Sequence, residues 1–271
     1  MSAIASPAAA TPRPPAAAPL LSVRDVTVRF GGILALDGIT FDVDEGDIVG
    51  LIGPNGAGKT TLFNCLSRLY VPTSGDIRFR GQSVMSLARH RIADLGIGRT
   101  FQNAALFETL TVLDNVLVGG HHVTKSDFLS NALGLKWVAR EEEAVEAKAM
   151  DKIRFMGLEE YVDRPAGGLP FPVKKRVELA RALMSEPTLL LLDEPAAGLN
   201  HGEIETLSEQ IRRIRETEKV TILLVEHHMS LVMAISDKVV AIDFGKKIAE
   251  GKPAEVQRDP AVIRAYLGEK L

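Results

Sequence analysis

The amino-acid sequence predicts an α/β fold in which a mostly parallel sheet carries a glycine-rich loop. A small antiparallel β layer precedes that loop, and a helical segment is inserted midway. Three observations lead to this reading. The apolar run Ile48-Val49-Gly50-Leu51-Ile52 passes directly into Gly53-Pro54-Asn55-Gly56-Ala57-Gly58-Lys59-Thr60-Thr61 and then into a helix-like stretch ending near residue 69. Apolar runs at 188–194, 220–226 and 239–244 are separated by helical segments, the pattern of buried parallel strands covered on both faces. Residues Val26, Val28 and Phe30, then Ile39, Phe41 and Val43, alternate with polar neighbours as half-buried antiparallel strands do.

Residues 1–20 are mostly Ala and Pro, with prolines at 7, 12, 14, 15 and 19 interrupting any apolar core of a signal peptide, and are expected to form a disordered tail. The folded part is expected to run from 21 to 271. Ile77 and Phe79 suggest a further strand, and residues 96–101 lead into Gln102. From about 104 to 185 the texture is helical: Val145, Ala149, Ile153 and Met156 share a face, with Gly157 as the stop. Thr111 and Asp114 form a capping-box pattern with Asp in place of Glu. Val262, Ile263, Tyr266 and Leu267 read as the packing stripe of a last helix. No internal repeat is seen.

The chain has 271 residues, 46% of them hydrophobic and 25% charged, enough for a full core. Its formal net charge is −3, and it has no long basic run, which argues against a nucleic-acid partner. The single cysteine, Cys65, has no partner for an intramolecular disulfide and fits a reducing cytoplasm, where it would serve as a small buried hydrophobe. No apolar run approaches the roughly 20 residues that cross a bilayer, so any membrane link is expected to run through a partner.

Residues 53–61 fit G-x-x-x-x-G-K-[ST] between a strand and a helix. A nucleoside triphosphate presents several negative charges. A glycine-rich turn lets successive backbone N–H groups point at them, and the helix N-terminus adds partial positive charge. Lys59 is expected to neutralise the β- and γ-phosphates and Thr60 to place its hydroxyl on Mg²⁺. Gly53, Pro54, Asn55, Gly56, Ala57, Gly58 and Thr61 complete the cradle. Leu189-Leu190-Leu191-Leu192-Asp193-Glu194 is an apolar strand ending in two carboxylates, at the sheet end where α/β proteins bind ligands. Asp193 is expected to hold Mg²⁺ through water, and Glu194 to orient or deprotonate the attacking water.

With these motifs in order, the chain resembles the ATP-binding-cassette (ABC) ATPases over residues 21–271. The resemblance implies a P-loop NTPase fold: a RecA-like core, an N-terminal antiparallel β-subdomain and a helical subdomain inserted at about 104–185. It further implies ATP and Mg²⁺ as ligands, with Phe30 stacking on adenine and Gln102, within Arg99-Thr100-Phe101-Gln102, as the Q-loop residue near Mg²⁺. Residues 178–183 follow the signature, residues 197–200 match the D-loop, and His227 is the switch histidine at the γ-phosphate. Read without the resemblance, Phe30 fits a core strand aromatic equally well and Gln102 a helix cap. His227 and His228 as a metal pair are disfavoured, because neighbouring strand positions face opposite ways. His121 and His122 read as loop residues.

The segments Phe30-Gly31-Gly32-Ile33-Leu34-Ala35-Leu36, Glu194-Pro195-Ala196-Ala197-Gly198-Leu199-Asn200 and Val262-Ile263-Arg264-Ala265-Tyr266-Leu267-Gly268 resemble the Liv-type ATPases of branched-chain amino acid importers. That implies a second ABC ATPase subunit, two transmembrane permeases and, indirectly, an extracytoplasmic binding protein, with this chain peripheral on the cytoplasmic face of the plasma membrane. Urea or amide uptake, an exporter, or a cytosolic scaffold with weak turnover are the alternatives. Residues 106–116 suit either permease docking or subdomain core. The signature, normally Leu-Ser-Gly-Gly-Gln-like, falls on Leu169-Pro170-Phe171-Pro172-Val173, where two prolines remove N–H donors. The expectation is a heterodimer in which this chain weakens its partner's site.

Overall fold

The computed structural model describes residues 18–100, 106–120 and 136–267, with side chains from residue 140 onward in the last stretch. Strands β1 (Leu21–Phe30) and β2 (Ile33–Val43) pair antiparallel, and β4 (Ser74–Phe79) and β5 (Gln82–Ser83) extend that sheet in the order β2-β1-β4-β5. The second sheet has six strands. Its order is β10 (Lys246–Gly251), β9 (Lys238–Asp243), β3 (Ile48–Ile52), β8 (Thr221–Val225), β7 (Leu189–Asp193) and β6 (Ile97–Arg99). Neighbours from β9 to β6 run parallel, and β10 closes one edge antiparallel. The sequence reading has no counterpart to β10: it opens on two lysines and carries little alternation, as an edge strand can.

The parallel sheet is a shared wall between two cores. Ile48, Ile52, Leu190, Leu192, Ile222 and Leu224 point into the core on the helical side. Their strand neighbours Val49, Leu51, Leu189, Leu191, Leu223 and Val225 point into the core beneath the antiparallel sheet. Burial on both faces is what the unbroken apolar runs require. Helix α1 (Lys59–Leu66) contributes Leu62, Phe63, Cys65 and Leu66 to the second core. Burial pushes the Cys65 thiol up to about 12, with Arg68 opposing.

The inserted segment contains α2 (Val112–Gly119), α3 (Lys136–Phe155) and α4 (Phe171–Leu183). The capping box forms: Asp114 N–H donates to Thr111 Oγ1 at 3.1 Å, and Thr111 N–H to Asp114 Oδ2 at 3.2 Å. Ala149, Ile153 and Met156 are buried, and Gly157, at φ 64°, stops the helix. Then follow α5 (His201–Glu218), α6 (Met229–Ile235), α7 (Pro253–Val256) and α8 (Pro260–Leu267). Asn200, at the D-loop position, doubles as the N-cap of α5 by a reciprocal pair with Glu203.

Two expectations change. Leu20, assigned to the tail by its composition, is 3% exposed, and its carbonyl accepts from Arg80 N–H at 2.8 Å, so the packed chain includes it. In α8 only Val262 is buried; Ile263, Tyr266 and Leu267 are exposed, and the helix packs beside β10. Among the described residues no helix is long and apolar enough to cross a membrane.

Candidate nucleotide site

Strand β3 delivers the glycine-rich loop to the middle of the parallel sheet, with β8 on one side and β9 on the other. Gly53 and Gly58 have no room for a side chain. A Cβ on Gly53 would strike the Ile242 carbonyl, and one on Gly58, at φ 104°, would lie 2.7 Å from the Ala35 carbonyl. The loop then enters α1, whose first residue is Lys59. Lys59 Nζ donates back to the Gly53 carbonyl at 2.6 Å and the Pro54 carbonyl at 2.9 Å. Burial pushes this ammonium below its usual range, while the charges of Glu194 and Asp193 pull it upward. A cation so placed has lost much of its water and is ready for phosphate oxygens.

The loop floors a cleft of about 380 Å³ lined by Ile33, Asn55, Thr60, Thr61, Glu194 and Phe244, among others. Thr60 is exposed to it. Glu194 leaves β7 in the left-handed region at φ 48°, with its N–H donating to the Val225 carbonyl at 2.9 Å. A non-glycine residue held there is strained, and the strain here turns the acid towards the cleft. Phe30 is 45% exposed and meets Tyr70 edge-on at 5.2 Å, so its ring is not a core side chain. Phe244, 85% exposed at the β9–β10 turn, was not singled out by sequence. Gln102, His121 and His122 lie outside the described residues.

Asp193 is 2% exposed at the end of β7, and its Oδ2 accepts from Arg99 Nη2 at 2.8 Å. Arg99 is fixed by Asn64 Oδ1 and Ser67 Oγ, each at 2.9 Å. Burial pushes the Asp193 carboxyl above the usual carboxylate range; the Arg99 guanidinium opposes this and Glu194 adds to it. Asp193 Oδ1 is buried without a hydrogen-bond partner. That spare acceptor and the Thr60 hydroxyl are both oxygen donors, the kind Mg²⁺ takes.

His227 is half exposed, with its N–H on Glu226 Oε2 at 3.0 Å. The His227 and His228 rings lie 4.2 Å apart, side by side, contrary to the strand alternation used to separate them. The cause is that β8 ends at Val225, so alternation no longer applies. With Glu226 they form a trio whose ligand atoms lie within 4.8 Å of one another. The Glu226 oxygens, however, are already taken by donors from Ala196, His227 and His228.

The signature segment opens α4. Pro170 is its N-cap, Phe171 its first residue and Pro172 its second, and the N–H groups of Val173 and Lys174 both turn back to the Pro170 carbonyl at 3.0 Å. Phe171 is thus the only residue of 170–172 with an N–H. Its ring lies against the D-loop turn, 3.0 Å from where a Gly198 Cβ would sit. At 106–116 the two readings divide residue by residue: Val112 and Val116 are core, while Phe107 is 52% exposed. Phe107 borders a groove of about 330 Å³ together with Ile97, Val118, Arg181 and Ala182. Burial pushes the Tyr266 hydroxyl of α8 above its usual range and the Gly53 backbone opposes this, a proximity to the phosphate loop that its place in an apolar stripe did not suggest.

A dry lysine within a glycine cradle, beside two acids at the same end of the sheet, defines a phosphate-loop nucleotide-binding protein. Residues 36–197 match the family model described as ABC transporter, and residues 246–270 match that of the branched-chain amino acid ATP-binding cassette transporter. The chain belongs to the ABC transporter family as an ATP-binding cassette. It is 44% identical to the high-affinity branched-chain amino acid transport ATP-binding protein BraF of Pseudomonas aeruginosa, covering 93% of this chain and 98% of that protein. It is 43% identical, with the same coverage, to LivG of Escherichia coli, which bears the same description. Among solved structures, an ATP-binding cassette of an ABC transporter in its ADP conformation superposes with a TM-score of 0.81 at 31% identity, covering 93% of this chain and all of that one. A nucleotide-free cassette gives 0.78 at 31% identity, over 92% of this chain and 99% of the other.

Proposed function

We propose that this chain binds and hydrolyses ATP to energise an importer of branched-chain or related amino acids. The observation that carries the substrate class is the match of residues 246–270 to the branched-chain family model, since that segment is separate from the general cassette match. The phosphate-loop N–H groups and Lys59 hold the triphosphate, and Phe30 stacks on the base. Thr60 and Asp193, with Gln102, are the residues that would hold Mg²⁺, which supplies charge neutralisation at the β- and γ-phosphates. Glu194 orients and deprotonates the attacking water, and His227 contacts the γ-phosphate.

Two cassettes sandwich the nucleotide, and the closed pair shifts two permeases served by an extracytoplasmic binding protein. ATP drives this only through its greater affinity for the closed pair than the open one. The chain then sits on the cytoplasmic face of the membrane, with the Phe107 groove receiving a permease loop. One observation favours a second reading, weak turnover by this chain alone: the prolines at the start of α4. The test is reconstitution with the partner cassette, permeases and binding protein in vesicles. ATP turnover that rises when the binding protein carries leucine supports the importer; turnover indifferent to every amino acid tested removes the substrate assignment.

A further inference from the structure

Glu226 is fully buried at the end of β8, and four donors converge on its two oxygens. Oε1 accepts from Ala196 N–H at 2.7 Å. Oε2 accepts from His227 N–H at 3.0 Å and His228 N–H at 3.1 Å, with His228 Nδ1 also at 3.1 Å. Ala196 lies two residues beyond Glu194, and His227 is the next residue in the chain. The Glu226 N–H faces the Leu51 carbonyl at 3.5 Å, on the strand that delivers the phosphate loop. One carboxylate therefore ties together the turn that carries the catalytic acid and the turn that carries the switch histidine.

We propose that Glu226 is a positioning residue for hydrolysis, holding His227 in register with Glu194. The proposal rests on the hydrolytic reading above and adds a residue to it. Glu226 itself lies behind the site: it touches backbone N–H groups and His228, not the cleft lining. Its two oxygens are used on opposite sides, so the isosteric amide in Glu226→Gln preserves one set of contacts and faces the other with N–H against N–H. A buried network of this kind transmits a local loss to every group it orients.

The test compares Glu226→Gln, His227→Ala and the double variant in the full-length chain paired with its partner cassette. Glu226→Gln is expected to lower kcat about 10- to 100-fold with KM for ATP changed by no more than about twofold. Added to His227→Ala, it should cost no more than about a further twofold, because Glu226 acts on turnover through the placing of His227. Amide exchange at Ala196, His227 and His228 should accelerate in Glu226→Gln, a readout that does not depend on turnover. Should that variant fail to fold, Glu226→Asp, which keeps the charge but is one methylene shorter, must show the same dependence on His227. Losses that multiply with His227→Ala, a rise in KM matching the fall in kcat, or unchanged exchange at these amides would overturn the proposal. A wild-type pair without ATP turnover defeats the hydrolytic reading instead, and the exchange measurement still decides the Glu226 contacts.

Discussion

Arg99 Nη2 donates to Asp193 Oδ2 at 2.8 Å between adjacent parallel strands, and both side chains are almost entirely withdrawn from water. Removing one partner of such a pair leaves the other charged and buried, which costs about 3–5 kcal/mol. Arg99→Leu is therefore expected to lower the urea midpoint sharply. The double variant Arg99→Leu/Asp193→Leu should recover much of that loss while remaining inactive. Equal stability of the single and double variants would contradict the pairing.

Glu194→Gln should retain ATP affinity and lose about 10²- to 10⁴-fold in turnover, the usual contribution of a general base. With hydrolysis blocked, the ATP-bound pair should persist, seen as an earlier elution peak in size-exclusion chromatography when ATP is present. Undiminished turnover would remove Glu194 from the base role.

The prolines that open α4 predict asymmetry. With the partner cassette present, Glu194→Gln should reduce turnover more than the matching substitution in the partner, since in the proposed pair this chain's signature serves the partner's nucleotide. Each lost charge-directed hydrogen bond costs about 1.5–3 kcal/mol, so Pro172→Gly is expected to raise the turnover of the isolated chain by about tenfold or more. Brisk turnover by the unaltered isolated chain would argue against this.

Much of this site is legible because its chemistry is contiguous in the chain. Residues 53–61 and Asp193-Glu194 carry their spacing with them, as do the apolar strands that hold them. What was not legible depends on pairing across distance. Arg99 meets Asp193 only because β6 and β7 lie side by side, and the role of Glu226 is set by an N–H thirty positions away. Alternation placed Phe30 on the same stripe as Val28, yet gave no sign of where β1 leaves its core. It failed at His227 and His228 because the strand had already ended.

Leu20 marks where the composition of the tail stops describing the fold. Deleting residues 2–18 should leave the melting temperature and ATPase activity unchanged. Leu20→Ala should destabilise by about 2–4 kcal/mol, as for other buried leucines, measured by urea unfolding.

Asp47 supplies a pH test away from the cleft. Burial holds its carboxyl above the ordinary 3.8, with Asp237 and Asp44 adding to the shift. The folded state therefore favours the protonated acid: the contribution is fully present below 3.8 and is lost as pH rises through the folded value. Asp47→Asn should be more stable than the parent near neutral pH, by less than about 1 kcal/mol at this partly solvated position, and no more stable at pH near 3. An advantage that grows on acidification would reverse the sign.

Cys65 has a practical bearing on all such experiments. Its sulfur is sealed beneath α1, and burial drives the thiol to about 12, so almost no thiolate exists at the pH where maleimides or methanethiosulfonates react. The native chain is therefore expected to behave as a cysteine-free background towards these reagents. A probe attached through a cysteine substituted for Phe107 or Phe244 would report from that one place, with no need to disturb the helix behind the phosphates.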